Sequence, residues 1–480
     1  MGTRTPRELI EIYWDEVYNN GRTELIREVC ADPIIRHDPE SVTPLSHDEQ
    51  IERVERSLRI KPYFTHRVLH ADDRWVTSVW NMDSMEGKGV KLCGIEVFEA
   101  EDGRFTRCWN STYMKGFWGE DGDLFDPGKL TAPPLLETTG EITAQWMERA
   151  LAAGGVVVPQ RIAIEPKVEP IGHGTSGTTA QVHMGYNVGT VTAPTDVIAK
   201  FGRTRGVSPG MSPGERELFT YRLLGNDARF RKPRLFFGER DDSGLTNLVL
   251  EDLSDRTRPG DQIAGCSIAE ARATVRELAA FHAAFWNDEA ALASDWLIDH
   301  NDMLPLYNAG ADRLAPWLGE RMPAEDLALV ETFRVKSGDW LALSPSRRTL
   351  IHSDPRVDNV LFEDTADGVA AWIIDWQLPA AGDPMHDVAY FLSGSVSPDD
   401  RRACEHELVA EYAGLIRSSV ADYSEEEALE SYRRNVVSGL WLTVIACSAI
   451  EQSDHNADLI YALMERNCAV IRDWDALASV

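Results

Sequence analysis

The sequence predicts an α+β protein built in two parts: a small helix-and-sheet unit, then a larger one with strands first and helices after. Three observations carry this. The stretch GEDGDLFDPGKLTAPPLLETTG, from Gly119 to Gly140, is rich in Gly, Pro, Asp and Thr and holds no sustained period, as a linker would. Ahead of it, helical spacing of apolar residues passes into strand-like alternation. Behind it, apolar β runs give way to amphipathic helical spacing that fills residues 401–478 without a strand signal. The boundaries that follow are a first unit at 1–120, a linker at 121–140, a strand-rich region at 141–253 and a helical region at 254–480. A chain of 480 residues fits about three compact units at roughly 150 residues each.

Composition narrows the class. Apolar residues make up 43% and charged ones 26%, the balance of a globular protein and not of a disordered one. Lys and Arg total 48 against 78 for Asp and Glu, a net charge of −30 that repels nucleic-acid phosphates and anionic lipid. No apolar run approaches the roughly 18 residues that span a bilayer. The opening MGTRTPRELIEIYWDE lacks the apolar core of a signal peptide. Seven cysteines with no CxxC pair suit reduced thiols. These features point to a cytoplasmic protein with no nucleic-acid or membrane partner.

In the first unit, Thr5-Pro6-Arg7-Glu8 is a capping box with Pro at the first helical position. Ile10, Tyr13, Trp14 and Val17 continue it as an apolar stripe, and Asn20-Gly21 ends it. A second helix is expected around Ser46 to Leu58, with Ile51, Val54 and Leu58 inward. From Arg74 the pattern alternates, and Asp102-Gly103 joins two strands as a hairpin turn. A curved sheet wrapping helices is the result. This order resembles the cone-shaped, nuclear-transport-factor-like fold of polyketide cyclases and small isomerases over residues 5–118. Such cones can hold a small apolar ligand or an acid/base dyad, for which His37, His66, His70, Asp38, Asp83 and Glu96 are the candidates. The plainer alternative makes these surface or satisfied core groups and the cone an accessory or dimerisation module.

The second part carries the chemistry. Residues 162–171 read as a strand, GHGTSG follows with Gly172, Gly174 and Gly177, and TTAQVHMGYN reads as another strand. A dinucleotide-binding fold needs a helix directly after such glycines. Glycines between two strands instead form a loop whose amides close over nucleotide phosphates. Lys200 ends a short β run, placed to contact phosphates. Ser212-Pro213-Gly214-Glu215 starts a helix and occupies Glu215 as a cap, which leaves Glu217 to pair with Lys200. The strand TNLVLEDLSD leads into Glu251 and Leu253, where backbone groups would read a base edge. Residues 351–362, IHSDPRVDNVLF, and 372–377, WIIDWQ, then place His352, Asp354, Asn359 and Asp375 in order. Phosphoryl transfer needs a carboxylate for the acceptor proton, here Asp354, and an amide and carboxylate for magnesium, here Asn359 and Asp375. His352 holds the loop's shape.

Together these residues resemble the aminoglycoside phosphotransferase and choline kinase group, and within it the ecdysteroid-kinase-like branch. PIGHGTSG, Lys200, LVLEDLSD, LAAFHAAFW, HSDPRVDN, IIDWQ and GDPMHDVAYFL carry the resemblance across 141–480. It implies a bilobal protein-kinase-like fold with a β-rich N-lobe and a helical C-lobe, and ATP and magnesium as cofactors. The expected activity is transfer of the γ-phosphate to a hydroxyl of a small acceptor. Ser353 stands where the group usually has Gly, and Asp-Trp-Gln replaces Asp-Phe-Gly. His282 lies on the apolar face of a helix opened by the capping box Ser267 to Glu270 and reads as a core histidine. Trp376, Gln377, Asp383 and Asp387 sit where acceptor contacts would lie, although Asp387 equally suits a helix cap. The acidic charge favours a cationic acceptor such as an amino sugar or choline-like amine. Tryptophan-rich helices suit a steroid-like or polyketide alcohol, and the resemblance leans that way. A rival reading makes the first unit the enzyme, a cyclase or isomerase regulated by the second.

Overall fold

The computed structural model describes residues 4–60, 62–84, 91–111, 113–116, 118, 133–156, 162–171, 178–186, 193–202, 211–343, 345, 347–420 and 422–479. Two compact units divide the chain, Met1–Thr131 and Ala132–Val480.

In the first unit the capping box at Thr5 opens the helix Pro6–Glu11, which runs on as a π-helical stretch, Ile12–Asn19. Its stripe of Ile10, Tyr13, Trp14 and Val17 is buried, as the spacing requires. The helix His47–Leu58 is capped by Ser46 with Glu49. A seven-stranded sheet packs against these helices. Its order from one edge is Ser41–Leu45, Cys30–Asp38, Arg104–Asn110, Lys91–Glu101, Trp75–Ser84 and Pro62–Ala71, with Met114–Lys115 paired to Lys91–Glu101. Asp102 and Gly103 both take positive φ, 52° and 74°, the turn that matches strand twist in a hairpin.

The expectation of helices followed by strands needs correction. Cys30–Asp38 and Ser41–Leu45 lie between the helices, and Cys30–Asp38 pairs in parallel with Arg104–Asn110. Asp32-Pro33 interrupts local alternation in the first of these strands, and a partner some 70 residues away leaves no local trace. The second is an exposed edge strand that contains Pro44, where proline is tolerated.

The second unit begins with the helix Ala144–Ala153 and a five-stranded antiparallel sheet. The sheet order is Leu235–Arg240, Thr246–Glu251, Asp196–Gly202, Thr178–Tyr186 and Ile162–Pro170. The helix Pro213–Leu224 packs on it. Beyond Ile268–Ala284 the unit is mainly helical, and within 401–478 the described residues form helices without strands. Fully buried Trp376, Tyr412, Tyr432 and Trp441 fill its core, and losing a buried aromatic of this size typically costs about 3–5 kcal/mol. Two small β pieces interrupt the helices. Thr349–Ile351 pairs with Ala380–Gly382, and Val360–Thr365 pairs with Gly368–Ile373. Because Val360 faces Ile373, the residues just outside that ladder, Asn359 and Asp375, are brought to the same end of it.

Candidate active site

Lys200 lies in the central strand of the five-stranded sheet, opposite Leu248 on one side and Thr179 on the other. Its ammonium donates to Glu217 Oε1 at 2.7 Å and to Asp375 Oδ1 at 3.1 Å. Burial works against the lysine's charge, but Asp375 and Glu217 outweigh it and raise the pKa above the usual lysine value. Asp375 moves the other way: burial alone would raise its pKa, and Lys200 holds it below the ordinary carboxylate value. Glu215 is elsewhere, accepting from the Ser212 backbone at 3.0 Å and from Arg240 at 2.5 Å. Glu217 therefore reaches the lysine and Glu215 does not, because the cap has already turned Glu215 back on the helix start.

Asp354 lies in the turn after Thr349–Ile351, and buried side chains shape that turn. Asp387, fully buried on the helix Met385–Ser395, accepts from the amides of His352 at 2.7 Å and Ser353 at 2.9 Å. His282 approaches the same carboxylate through Nε2 at 3.1 Å and meets Tyr412 Oη through Nδ1 at 2.8 Å. The Asp354 amide donates to His352 Nδ1 at 3.3 Å, so His352 Nε2 carries the hydrogen that meets Ile374 O at 2.9 Å. That imidazole ties the Asp354 turn to the residue before Asp375. Ser353 takes φ 68° and Asp375 φ 65°. A left-handed residue other than glycine costs roughly 1–2 kcal/mol, and at Ser353 the Asp387 bond offsets it. A glycine-like conformation is thus what the departure at 353 has to satisfy.

Asp354 accepts from Tyr390 Oη at 2.5 Å through Oδ1, and from Asn359 Nδ2 at 3.2 Å through Oδ2. Burial and the Asp354 charge push the Tyr390 phenol well above its usual pKa, so it stays a donor. Tyr390 was not foreseen in the sequence. Its signal lay in GDPMHDVAYFL, where Asp387 and Tyr390, three apart on a helix, must face the same way.

The donor set suits magnesium. Asn359 uses its NH₂ on Asp354, both side chain and carbonyl, which leaves the amide oxygen as its ligand atom. Asp375 adds a carboxylate. Magnesium held against phosphates asks for only one or two such protein oxygens, and among the described residues no cluster of three or more His, Cys, Asp or Glu offers a different metal centre.

Other expected residues divide. Gly172, Gly174 and Gly177 lie outside the described residues. The strands on either side of them are antiparallel partners, with Pro170 opposite Ala180. Glu251 accepts from Arg256 at 2.9 Å and from the Arg234 amide at 3.1 Å, and Leu253 is buried. Their side chains are engaged or enclosed, and so are the Glu251 amide, which donates to Arg234 O at 2.8 Å, and the Leu253 carbonyl, which accepts from the Thr257 amide at 3.0 Å. Of the four residues expected to meet an acceptor, Trp376 is core, its ring 4.8 Å from Phe281. Asp387 braces the turn, and Gln377 donates to Glu217 at 3.3 Å. Asp383 alone lines a cavity of about 560 Å³ with Ile298, His300, Trp340, His386 and Arg434. His300 meets Ser353 Oγ at 3.3 Å, so this cavity abuts the Asp354 turn.

In the first unit the six candidates form no His–carboxylate pair with one another among the described residues. His37 stacks on Trp109 at 4.6 Å, Asp38 pairs with Arg36, His66 approaches Asp15 and His70 approaches Asp72. Asp83 faces Lys91 across the sheet. Glu96 is buried, which raises its pKa despite Arg36 and Arg53 nearby.

Asp354, Asn359 and Asp375 all fall in one stretch shared with a known family. Residues 338–423 match the Ecdysteroid kinase-like family. The stretch that carries these three residues is similar to that family, and Lys200 and Glu217 lie outside it. A curated relative, acyl-CoA dehydrogenase family member 11 of Gallus gallus, is 28% identical over 135 residues, 28% of this chain and 14% of that protein. The chain thus spans only a small part of that relative's length. A Ralstonia eutropha structure assigned as an aminoglycoside phosphotransferase covers 65% of this chain and 93% of its own, at 18% identity and a TM-score of 0.39. An ethanolamine kinase of Plasmodium vivax covers 64% and 83%, at 13% identity and 0.38. A SnoaL-like polyketide cyclase of Agrobacterium tumefaciens covers 23% of this chain and 92% of its own, at 13% identity and 0.20. Among the described residues no helix is long and apolar enough to cross a membrane, and each of the seven cysteines is free.

Proposed function

We propose that the second unit is an ATP- and magnesium-dependent kinase that phosphorylates a hydroxyl of a small molecule. One convergence supports it most: Lys200, from the sheet, meets Glu217 and Asp375 within 3.1 Å, and Asp375 shares its end of a β ladder with Asn359, whose amide donates to Asp354. In this reading Lys200 binds the α- and β-phosphates, steadied by Glu217. Gly172, Gly174 and Gly177 cover the phosphates, and backbone groups at Glu251 and Leu253 meet the base. Asn359 and Asp375 hold magnesium, which when bound neutralises phosphate charge. Asp354 Oδ1 is held by Tyr390 at 2.5 Å and Oδ2 by Asn359 at 3.2 Å, and in this reading the less tightly held Oδ2 receives the acceptor proton. The acceptor oxygen bonds to the γ-phosphorus as the bond to the bridging oxygen breaks, and a nucleoside diphosphate leaves.

The cavity beside the Asp354 turn is the acceptor site in this reading, and its chemistry favours a neutral alcohol over a cation. Asp383 is already engaged by Ser431 at 2.6 Å and by the Met385 amide. Burial holds the His386 pKa down to about 4, so that ring is uncharged. Its Nε2 is buried and makes no hydrogen bond among the described residues, and in this reading it would turn to a hydroxyl of the acceptor. We assign the protein to the cytoplasm and the first unit to dimerisation, through the exposed Tyr63 and Leu69 of its edge strand. Sedimentation of the full chain as a monomer would remove the dimer.

The test of the activity is a screen of hydroxylated small molecules for acceptor-stimulated ATP consumption, run against Asp354→Ala. That substitution is expected to cost roughly 10²–10⁴-fold in turnover. A variant with full turnover would take Asp354 out of the mechanism, and a wild-type protein that binds no nucleotide would end the reading.

A further inference from the structure

Two residues beyond Asp354, Arg356 has a side chain about one-third exposed, with its Nε 3.9 Å from Asp354 Oδ2. That Nε is buried, and no hydrogen-bond acceptor reaches it among the described residues. Two other enclosed arginines of this unit are engaged through their terminal nitrogens, although Arg401 shares an unpartnered Nε. Arg401 pairs with Glu405 at 2.6 Å, and Arg466 donates to Gln262 O at 2.7 Å. Arg356 is instead ion-paired with Asp354 at 3.9 Å, without a hydrogen bond to it among the described residues. Burial works against its cationic form, but Asp354, Tyr390, Asp358 and Asp375 hold its pKa above the ordinary value. Asp358 accepts from the Gln262 amide at 2.8 Å and makes no ion pair with Arg356 among the described residues. What remains is a guanidinium with several free donors in a fixed fork, the geometry that suits phosphate oxygens.

Its place along a bound nucleotide follows from Asp354. An acceptor hydroxyl that gives its proton to Oδ2 must lie beside that oxygen, and the phosphorus it attacks lies one bond further. A cation 3.9 Å from the same oxygen therefore stands next to the group in transfer. Lys200, bonded to Asp375, stands further back along the phosphates. We propose that Arg356 is a catalytic residue that binds the oxygens of the γ-phosphoryl group and stabilises the charge they share during transfer. This rests on the kinase reading above and names the residue that reading lacked. Within the site, Asp354, Asp358, Asp375 and Glu217 set four carboxylates against Lys200 and Arg356, so Arg356 would add to the positive charge that magnesium supplies to the transferred group.

The test compares the full chain with Arg356→Met and Arg356→Lys by equilibrium titration, with magnesium present, of a non-hydrolysable ATP analogue and of ADP. The wild-type protein is expected to prefer the triphosphate. Arg356→Met should bind the triphosphate about ten- to a hundredfold more weakly, the range for lost hydrogen bonds to a charged group, and bind ADP as before. Intact ADP binding also reports a folded cleft. Arg356→Lys should recover part of the loss, as a point charge without the fork. Turnover of Arg356→Met should fall roughly 10²–10³-fold with the acceptor KM unchanged. Triphosphate binding unaltered in Arg356→Met would overturn the proposal, and so would equal loss of both nucleotides, which would make the residue structural. Failure of the wild-type protein to bind either nucleotide would instead remove the kinase reading beneath it.

Discussion

Lys200 and Asp354 face the same site but are held by different means. The lysine belongs to a five-stranded ladder and is positioned by backbone register, with Leu248 and Thr179 across from it. Asp354 sits in a turn that has little regular structure and is positioned by buried polar side chains: Asp387, His282, Tyr412, His352 and Tyr390. A ladder spreads its support over many equivalent bonds. A buried network concentrates it, because each member that is lost leaves the others without partners in a medium where that is costly. The two halves of the site should respond differently to substitution.

The largest difference is expected at Asp387. Asp387→Ala strips the His352 and Ser353 amides and His282 of a common acceptor, and breaking such a buried set costs about 3–5 kcal/mol. Urea denaturation of the second unit's transition would show it, and a loss under about 1 kcal/mol would mean the turn is held by something else. Acid comes next. His386 is neutral when folded, with a pKa near 4, whereas an unfolded histidine takes a proton near 6.5. Between those values the unfolded chain binds the extra proton, so stability is full above about pH 6.5 and falls as pH falls, by at most roughly 1.4 kcal/mol per unit. His386→Asn should lessen that slope in melts between pH 7 and 5, the remainder coming from the neighbouring His300, whose pKa burial lowers to about 3. On the lysine side, Glu217→Gln keeps an acceptor for Lys200, which also retains Asp375. The fold should therefore lose less than in Asp387→Ala, about 1–3 kcal/mol, while nucleotide binding weakens roughly tenfold. The smallest effect belongs to Tyr390→Phe, which removes one donor from Asp354 and should lower turnover several-fold, by about one hydrogen bond. Should Glu217→Gln unfold the protein and Asp387→Ala leave it intact, the contrast is reversed.

The same contrast explains what could be read in advance. The Lys200 strand, the Glu217 helix and its cap, and the spacing from His352 to Asp375 are local patterns, and local patterns survive in one dimension. Thr5, Ser212 and Ser267 announce their helices because a cap bonds to residues three positions away. The Tyr390 bond spans 36 residues and the His282–Asp387 contact spans 105, and neither leaves a periodic mark. Trp376 was expected at an acceptor surface because it neighbours Asp375, yet it turns inward against Phe281 and His352, a choice made by the tertiary core alone. In the first unit the strand Cys30–Asp38 has one partner close by, Ser41–Leu45, and its parallel partner at the far end of the domain leaves no periodic mark.

The hairpin that unites Asn359 and Asp375 ends in a two-residue turn, Ala366-Asp367, whose side chains stand in solvent. Six facing pairs separate that tip from the ligands. A peptide tag or a fluorophore grafted there would hang from the outer end of the ribbon without altering its base, giving a ready handle for testing whether the protein loads a nucleotide.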